Sequence, residues 1–199
     1  MTPAAIKKRV IAAHPALAFY LAPLKPLPRL AASPLTVDEA VAQVVVGQML
    51  SRKAASTIIG RATALAHSKK KSGMAQLNEM NLRRCGLSER KAQAIVAFTN
   101  YYQENSAEIE GWRQLTPPQL YRAVERHKGL SRWSASMLGI FYFAMEDIYP
   151  EIDGTIMRVQ RLLQGRNIEL NPEAVSPYRS YLALYLWKLL DEGLLLAAP

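Results

Sequence analysis

The sequence predicts an all-α protein, and three observations support that class. Apolar side chains recur at the helical period in several segments, as Ala92, Ile95 and Val96 do after Ser88. Residues typical of helix N-termini precede these segments, and glycines typical of helix ends follow several of them. No segment alternates apolar and polar residues over the length of a strand. We therefore expect about nine or ten helices joined by short loops.

The first part of the chain predicts a short helix and an extended arm. The helix covers residues 4–14, and the arm covers 21–35, where proline is too frequent for a regular element. We expect residues 1–35 to pack as an arm on a single domain of residues 36–199. The length of 199 residues is that of one domain or of two small lobes.

Capping signals set the start of each following helix. Thr36 with Glu39 three residues later matches a capping box, and Ser51 precedes the next helical segment. The segment MAQLNEM predicts a short helix. Thr116 followed by two prolines opens another, because the first turn of a helix does not need those backbone N–H groups. Two more helices are predicted at IMRVQRLLQG and YRSYLALYLWKLLDEG.

Composition narrows the functional classes. Lys and Arg total 25 against 16 Asp and Glu, so the net charge is +9, which suits nucleic acid first and a membrane surface second. The alternative is a basic protein whose charge does not reflect an anionic partner. One cysteine excludes a disulfide scaffold and four-cysteine metal sites, and suits a reducing, intracellular compartment. No apolar run reaches about 18 residues, so we expect no membrane span.

Residues 120–135, LYRAVERHKGLSRWSA, predict a hairpin of two helices that suits a phosphate group. One helix ends, Gly129 turns the chain, and the next helix starts within four residues. The backbone N–H groups and the positive end of the second helix suit a phosphate oxygen, and Lys128 and Arg132 add positive charge beside the turn. Alone, this pattern favours an ordinary corner between helices.

Asp153 stands 20 residues after Trp133 and directly before a predicted helix. Its carboxylate is either an N-cap or a catalytic group. Aspartate directly before a helix is more often an N-cap. The choice between a cap and a catalytic group therefore depends on the neighbouring motifs.

Four segments carry a resemblance to a known family. KGLSRWSASMLGIFYFAMEDIYPEIDGTIMRVQRLL resembles the hairpin and aspartate loop of the helix-hairpin-helix DNA glycosylase superfamily. VVVGQMLSRKAASTIIGR, CGLSERKAQAI and PYRSYLALYLW are similar to segments of its 3-methyladenine DNA glycosylase II branch. The resemblance spans residues 36–190 and implies a two-lobed all-α fold with an active-site cleft between the lobes.

The resemblance implies a role for several side chains. Asp153 matches the catalytic aspartate, and Trp133 stands where strand-cleaving members have a lysine, so no lyase step is expected. Trp133 and Trp187 match positions that line the base pocket, and Tyr178 and Tyr185 are candidates for further aromatic surface. The alternative for each aromatic residue is a place in the core.

The resemblance also implies a DNA-binding surface. Met49 matches the residue that wedges into the duplex, although methionine also fills gaps in cores. Gln48 either contacts DNA or caps a helix. The hairpin residues that match phosphate contacts, or flank them, are His127, Lys128, Gly129, Leu130, Ser131 and Arg132. In the family, carbonyls such as those of His127 and Leu130 hold a monovalent cation, Na⁺ or K⁺.

One departure from the pattern and one charged residue of α-helical sequence remain to be placed. Ser131 replaces a usual glycine, so either its φ is positive and strained, or its hydroxyl helps to hold phosphate. Lys91 is expected on a solvated helix face.

The sequence thus predicts a monofunctional DNA glycosylase of base excision repair that excises alkylated purines such as 3-methyladenine. We expect a monomer that acts on double-stranded DNA with a damaged base, requires no cofactor and is cytoplasmic, near the nucleoid. The alternatives are a glycosylase for deaminated or mismatched bases and a non-catalytic DNA-structure-binding protein.

Overall fold

The computed structural model describes residues 1–195, and all regular structure in that range is helical. The all-α prediction is therefore confirmed. Contacts divide the chain into two compact units, one formed by Met1–Ala32 with the chain from Ala144 onward, the other by Ser33–Phe143. The boundary at residue 35 and the cleft stay predictions, and residues 196–199 of the predicted domain lie outside the described part.

The first unit combines residues 1–32 with the described chain from residue 144 onward. Its α-helices, numbered in chain order, are α1 (Pro3–Ala13), α2 (Ala18–Leu21), α9 (Gly154–Gln164) and α10 (Arg179–Asp191), with 3₁₀ turns at Pro15–Leu17 and Pro172–Val175. Ile156, Val159 and Leu163 are spaced three and four residues apart, so α9 turns one fully buried stripe toward the core. That packing fixes the start of α9, where Asp153 lies.

The proline-rich segment is bound to α10 by hydrogen bonds to tyrosines. The N–H groups of Leu27 and Leu30 donate to the hydroxyls of Tyr185 (3.2 Å) and Tyr181 (3.0 Å). An extended segment has no helical carbonyls to accept its N–H groups. The hydroxyl oxygens of the two buried tyrosines act as the acceptors instead.

The second unit contains six α-helices. They are α3 (Val37–Gly47), α4 (Arg52–Ser68), α5 (Glu79–Arg84), α6 (Glu89–Glu110), α7 (Pro117–Val124) and α8 (Arg132–Phe141), with 3₁₀ turns at Met74–Gln76 and Gly111–Gln114. The apolar helix α3 packs against α6 and α8 and is buried along almost all its length. The loop that follows α3 is therefore held close to the hairpin of α7 and α8.

Two local predictions in this unit are wrong. The Glu39 carboxylate does not close a capping box with Thr36 but accepts the Ala75 N–H at 2.9 Å. MAQLNEM is not one helix, because Asn78 caps α5 through the Asn81 N–H (3.0 Å) and separates it from the 3₁₀ turn. A distant backbone N–H takes the Glu39 carboxylate in the first case, and a local N-cap starts a new helix in the second.

None of the helices within residues 1–195 has the length and apolar character needed to span a membrane.

Candidate functional site

Asp153 lies at the N-terminus of α9 with its carboxylate fixed. It is 9% exposed, and its Oδ1 accepts the N–H groups of Thr155 (3.0 Å) and Ile156 (2.9 Å). The N-cap alternative is thus realised in the structure. Since the positive end of the helix dipole also stabilises an anion there, a cap and a catalytic carboxylate are compatible.

Trp187 contacts the same carboxylate from α10. Its indole Nε1–H donates to Asp153 Oδ1 at 2.9 Å, and its ring is half-buried against the core of the first unit. Three N–H donors therefore converge on one oxygen and hold the carboxylate in one orientation. The sequence singled out both residues separately, but their bond, across 34 positions, depends on how α10 packs against α9.

The other predicted aromatic residues occupy different environments. Tyr185 is 1% exposed and lies in the core, which does not favour a place in a base pocket. Tyr178 is half-buried, with its ring centroid 6.2 Å from that of Tyr181. Trp133 belongs to the second unit, where its ring lies beside Gly47 at the end of α3. A pocket shared by Trp133 and Trp187 stays a prediction.

A half-buried ion pair, which the sequence analysis missed, ties the loop before Asp153 to α10. Arg179 Nε and Nη2 donate to the two carboxylate oxygens of Asp147 at 2.8 and 3.1 Å, and the Ser176 hydroxyl donates at 3.0 Å. Burial raises the pKa of Asp147, but these hydrogen bonds and the Arg179 charge outweigh it and leave that pKa lowered. Arg179 lies in the segment PYRSYLALYLW, which resembles the family, and that resemblance was the sequence signal that could have pointed to this arginine.

Because the folded-state pKa of Asp147 is lowered, its ion pair stabilises the protein above the unfolded-state pKa. That stabilisation disappears as pH falls through the folded-state pKa. We expect Arg179→Met to reduce the free energy of unfolding by about 1–3 kcal/mol at pH 7. The difference in free energy of unfolding between this variant and the wild type should become smaller below about pH 4. Urea unfolding across that range measures it. Arg158→Met, on the exposed face of α9, is the control. If the difference in free energy of unfolding between Arg179→Met and wild type does not change with pH, the ion pair with Asp147 does not cause it.

The hairpin between α7 and α8 is formed as predicted, and Gly129 is required in it. Its φ is +86°, and a Cβ built there would lie 2.6 Å from the Cβ of Ala94 on α6. No other residue fits without moving the turn. The hairpin therefore closes onto α6.

Ser131 has an ordinary extended backbone, with φ −142° and ψ 174°, so the strained alternative is wrong. It caps α8 in a reciprocal pair, in which the Ser131 N–H donates to Ser134 Oγ (3.2 Å) and the Ser134 N–H to Ser131 Oγ (3.5 Å). A contact of its hydroxyl with phosphate stays a prediction.

His127 holds the hairpin to the body of the second unit. Its ring packs against Phe98, Tyr101 and Trp112 at centroid distances of 5.0, 4.8 and 5.5 Å. Burial lowers the pKa of this imidazole. These contacts give His127 a structural part in the turn, while Lys128 beside it is exposed.

Arg132 adds a second exposed positive charge to the hairpin. Its guanidinium lies over the ring of Tyr121, 4.4 Å from the centroid. A cation–π contact of this kind holds the planar group in a defined position at the start of α8. The hairpin therefore offers backbone N–H groups and two cationic side chains on its surface.

The resemblance also implies a cation at the hairpin carbonyls. Within residues 1–195, no three His, Cys, Asp or Glu side chains are grouped to hold a metal ion. The His127 carbonyl already accepts the Leu130 N–H at 3.0 Å, and a carbonyl oxygen has a second lone pair for a cation. A Na⁺ or K⁺ ion on His127 and Leu130 is compatible with this turn and stays a proposal.

Met49 projects from the loop after α3. It is 101% exposed and has φ +56°, so a place in the core is excluded. A non-glycine residue in the left-handed region costs about 1–2 kcal/mol, and an exposed methionine gains nothing from packing. Conformations of this kind cluster at functional sites, which supports the predicted wedge.

Gln48 and Lys91 support this loop from two sides. Gln48 Nε2 donates to the Gly129 carbonyl (2.9 Å) and to Ser134 Oγ (3.2 Å). Lys91 Nζ donates to the carbonyls of Val46 (2.9 Å) and Gln48 (2.6 Å), so its placement on a solvated face is wrong. The last carbonyls of a helix have no N–H partners within the helix, so the end of α3 was the signal that a donor such as Lys91 is needed there.

Comparisons with known proteins find relatives in sequence and in structure. No protein-family model matches the chain. Two Schizosaccharomyces pombe proteins are similar in sequence: DNA-3-methyladenine glycosylase 1 is 25% identical over 75% of this chain and 71% of its own, and the alkylbase DNA glycosidase-like protein mag2 is 27% identical over 76% of both. The structure of S. pombe 3-methyladenine DNA glycosylase Mag1 with abasic DNA superposes with a TM-score of 0.74 at 22% identity, over 92% of this chain and 95% of that one.

Proposed function

We propose that this chain is a DNA glycosylase of the helix-hairpin-helix superfamily that excises alkylated purines, such as 3-methyladenine, from duplex DNA. The observation that carries the proposal is the carboxylate of Asp153, buried and held by Trp187 and by the first turn of α9. Its relatives are named for the same activity.

Binding to DNA begins at the hairpin. Its backbone N–H groups, with Lys128 and Arg132, neutralise phosphates without reading sequence. The glycosidic bond is inaccessible in a stacked duplex, so the damaged nucleotide has to leave the stack. Met49 then fills the gap, because an apolar side chain of this length replaces the lost stacking.

The chemistry requires a carboxylate and a water molecule. The bond between C1′ and the base nitrogen breaks, and its electron pair leaves with the base. Asp153 stabilises the positive charge that develops on the sugar. Water adds to C1′ and gives up one proton to the Asp153 carboxylate, which passes it to solvent, and an abasic site and a free base remain.

An alkylated purine already carries positive charge, so it departs as a neutral base without protonation. No general acid is therefore needed. Trp133 has no amine to form a Schiff base, and the reaction stops at the abasic site.

Several properties of the working protein are part of the proposal. It acts in base excision repair as a monomer on duplex DNA with a damaged base, in the cytoplasm near the nucleoid. Hydrolysis by the Asp153 route needs no cofactor. A Na⁺ or K⁺ ion at the hairpin would contribute positive charge beside a phosphate.

The test is base release from duplex DNA treated with a methylating agent, analysed by chromatography. We expect methylated purines in the supernatant and strand breaks only after alkali, because abasic sites are alkali-labile. A parallel panel of duplexes with deaminated or mismatched bases detects the alternative lesions. Salt-dependent binding without release of any base would show a DNA-binding protein and overturn the proposal.

Trp187→Phe should reduce the single-turnover rate of base release by about tenfold. The substitution keeps an aromatic ring but removes the N–H that donates to Asp153 Oδ1, and a hydrogen bond to a charged group contributes about 1.5–3 kcal/mol. Tyr20→Phe, which removes a hydroxyl bonded to Arg166 in the same unit, is the control for loss of a hydrogen bond away from Asp153. An unchanged rate for Trp187→Phe would remove this bond from the catalytic arrangement.

A further inference from the structure

The loop of residues 48–50 has a conformation that its own side chains do not explain. Met49 has a left-handed backbone and a side chain fully in solvent. Neither feature is stabilised by packing of the methionine. The Leu50 N–H closes this turn on the Gly47 carbonyl at 3.2 Å, and contacts from neighbouring groups add to that bond.

Lys91 makes such a contact at one particular peptide group. The Gln48 carbonyl belongs to the peptide that joins Gln48 to Met49, and Lys91 Nζ donates to it at 2.6 Å. The orientation of that peptide defines φ of Met49. The second bond of Lys91, to the Val46 carbonyl at 2.9 Å, anchors the ammonium to the last turn of α3.

The position of Lys91 also suits the charge at this point. The carbonyl end of α3 carries the negative end of its dipole, and a cation there is stabilising. Lys91 is half-buried and directed at backbone carbonyls, unlike the exposed Lys128 of the hairpin. Burial also lowers the pKa of its ammonium.

Gln48 links the same loop to the phosphate-binding turn. Its side-chain amide donates to the Gly129 carbonyl at 2.9 Å and to Ser134 Oγ at 3.2 Å. The wedge residue and the hairpin are therefore connected through a single residue, whose own carbonyl is held by Lys91.

We propose that Lys91 is a positioning residue that presents Met49 to the duplex in step with the hairpin. The inference rests on the proposed function. Met49 enters the gap as a preformed projection, so the loop does not have to order itself while the nucleotide flips. Lys91 touches neither phosphate nor base in this role, which separates it from the cationic residues of the hairpin.

The experiment compares Lys91→Met with Arg90→Met, its exposed neighbour on α6, which also removes one positive charge. Base release is followed under single-turnover conditions on methylated duplex DNA. Flipping is followed by the fluorescence of a 2-aminopurine placed beside an abasic-site analogue. We expect Lys91→Met to lose about tenfold in rate and most of the fluorescence rise, with less than a twofold change in affinity for undamaged duplex. Arg90→Met should change neither the rate nor the rise.

A double-mutant cycle with Met49→Ala separates positioning from a general structural role. If Lys91 acts through Met49, adding Lys91→Met to Met49→Ala lowers the rate no further. A role in stability alone gives the same fold-loss in both backgrounds. Lys91→Arg, which keeps donors and charge, should restore part of the rate and serves as the test if Lys91→Met does not fold.

Equal rates for Lys91→Met and wild type, or a full further loss in the Met49→Ala background, would overturn the inference. Absence of base release by the wild-type protein would instead overturn the proposed function. The two failures are therefore distinguishable in one series of measurements.

Discussion

Asp153→Asn should reduce the single-turnover release of methylated purines by about 100-fold or more while the protein stays folded. Asparagine keeps an oxygen where Oδ1 accepts the N–H groups of Thr155 and Ile156, so the cap of α9 survives. It removes the negative charge that stabilises the sugar cation. The effect therefore falls on the chemical step and leaves duplex affinity nearly unchanged.

Asp153→Ala is the companion variant that separates the cap from the charge. It loses both, and removal of an N-cap side chain costs about 0.5–2 kcal/mol. We expect a lower midpoint of thermal unfolding for Asp153→Ala than for Asp153→Asn, with both inactive. Wild-type rates for Asp153→Asn would leave the carboxylate with a structural role only and remove the basis of the proposed mechanism.

Gly129→Ala should have the largest effect on DNA binding. The new Cβ would meet the Cβ of Ala94 at 2.6 Å, and the backbone at φ +86° is unfavourable for alanine. The first contact requires movement of the hairpin or α6, and the second costs about 1–2 kcal/mol. We expect a total loss of about 2–4 kcal/mol in the free energy of unfolding.

The same substitution should weaken binding to duplex DNA by about tenfold, because the displaced turn no longer aims its N–H groups at one phosphate. Fluorescence anisotropy at fixed salt measures the affinity, and urea unfolding measures stability. Gly60→Ala in α4 is the matched control, since nothing lies within 4 Å of its added Cβ. It should stabilise the protein by about 0.5–1 kcal/mol. Unchanged affinity for Gly129→Ala would contradict phosphate binding by this turn.

The helices were predictable where their signals are local. Ser51 accepts the Ala54 N–H at 3.2 Å, and Thr116 precedes α7 with prolines in its first turn, as the sequence pattern indicates. The capping box of Thr116 with Gln119 was not predicted, although both residues lie within one turn. Thr36 also precedes a helix as predicted, although without its capping box. A cap depends on groups within three or four residues, so the sequence carries the information.

Partners far apart in the sequence were not predictable in this way. Lys91 looked like part of a solvated face, and the ion pair of Asp147 with Arg179 was missed. A side chain of this length reaches many acceptors, and only the packing of helices selects one. The Glu39 carboxylate illustrates this, since Ala75 lies 36 positions away.

The sequence alone determined the all-α class, the hairpin at Gly129, the aspartate before α9 and the family resemblance. These features follow from helical periodicity, capping and turn chemistry, which act over a few residues. Only the tertiary structure brought Trp187 to the Asp153 carboxylate and Lys91 to the loop of Met49. Those contacts exist because buried helix faces fix the relative positions of α9 with α10 and of α3 with α6, and burial confines each polar group to the few partners within reach.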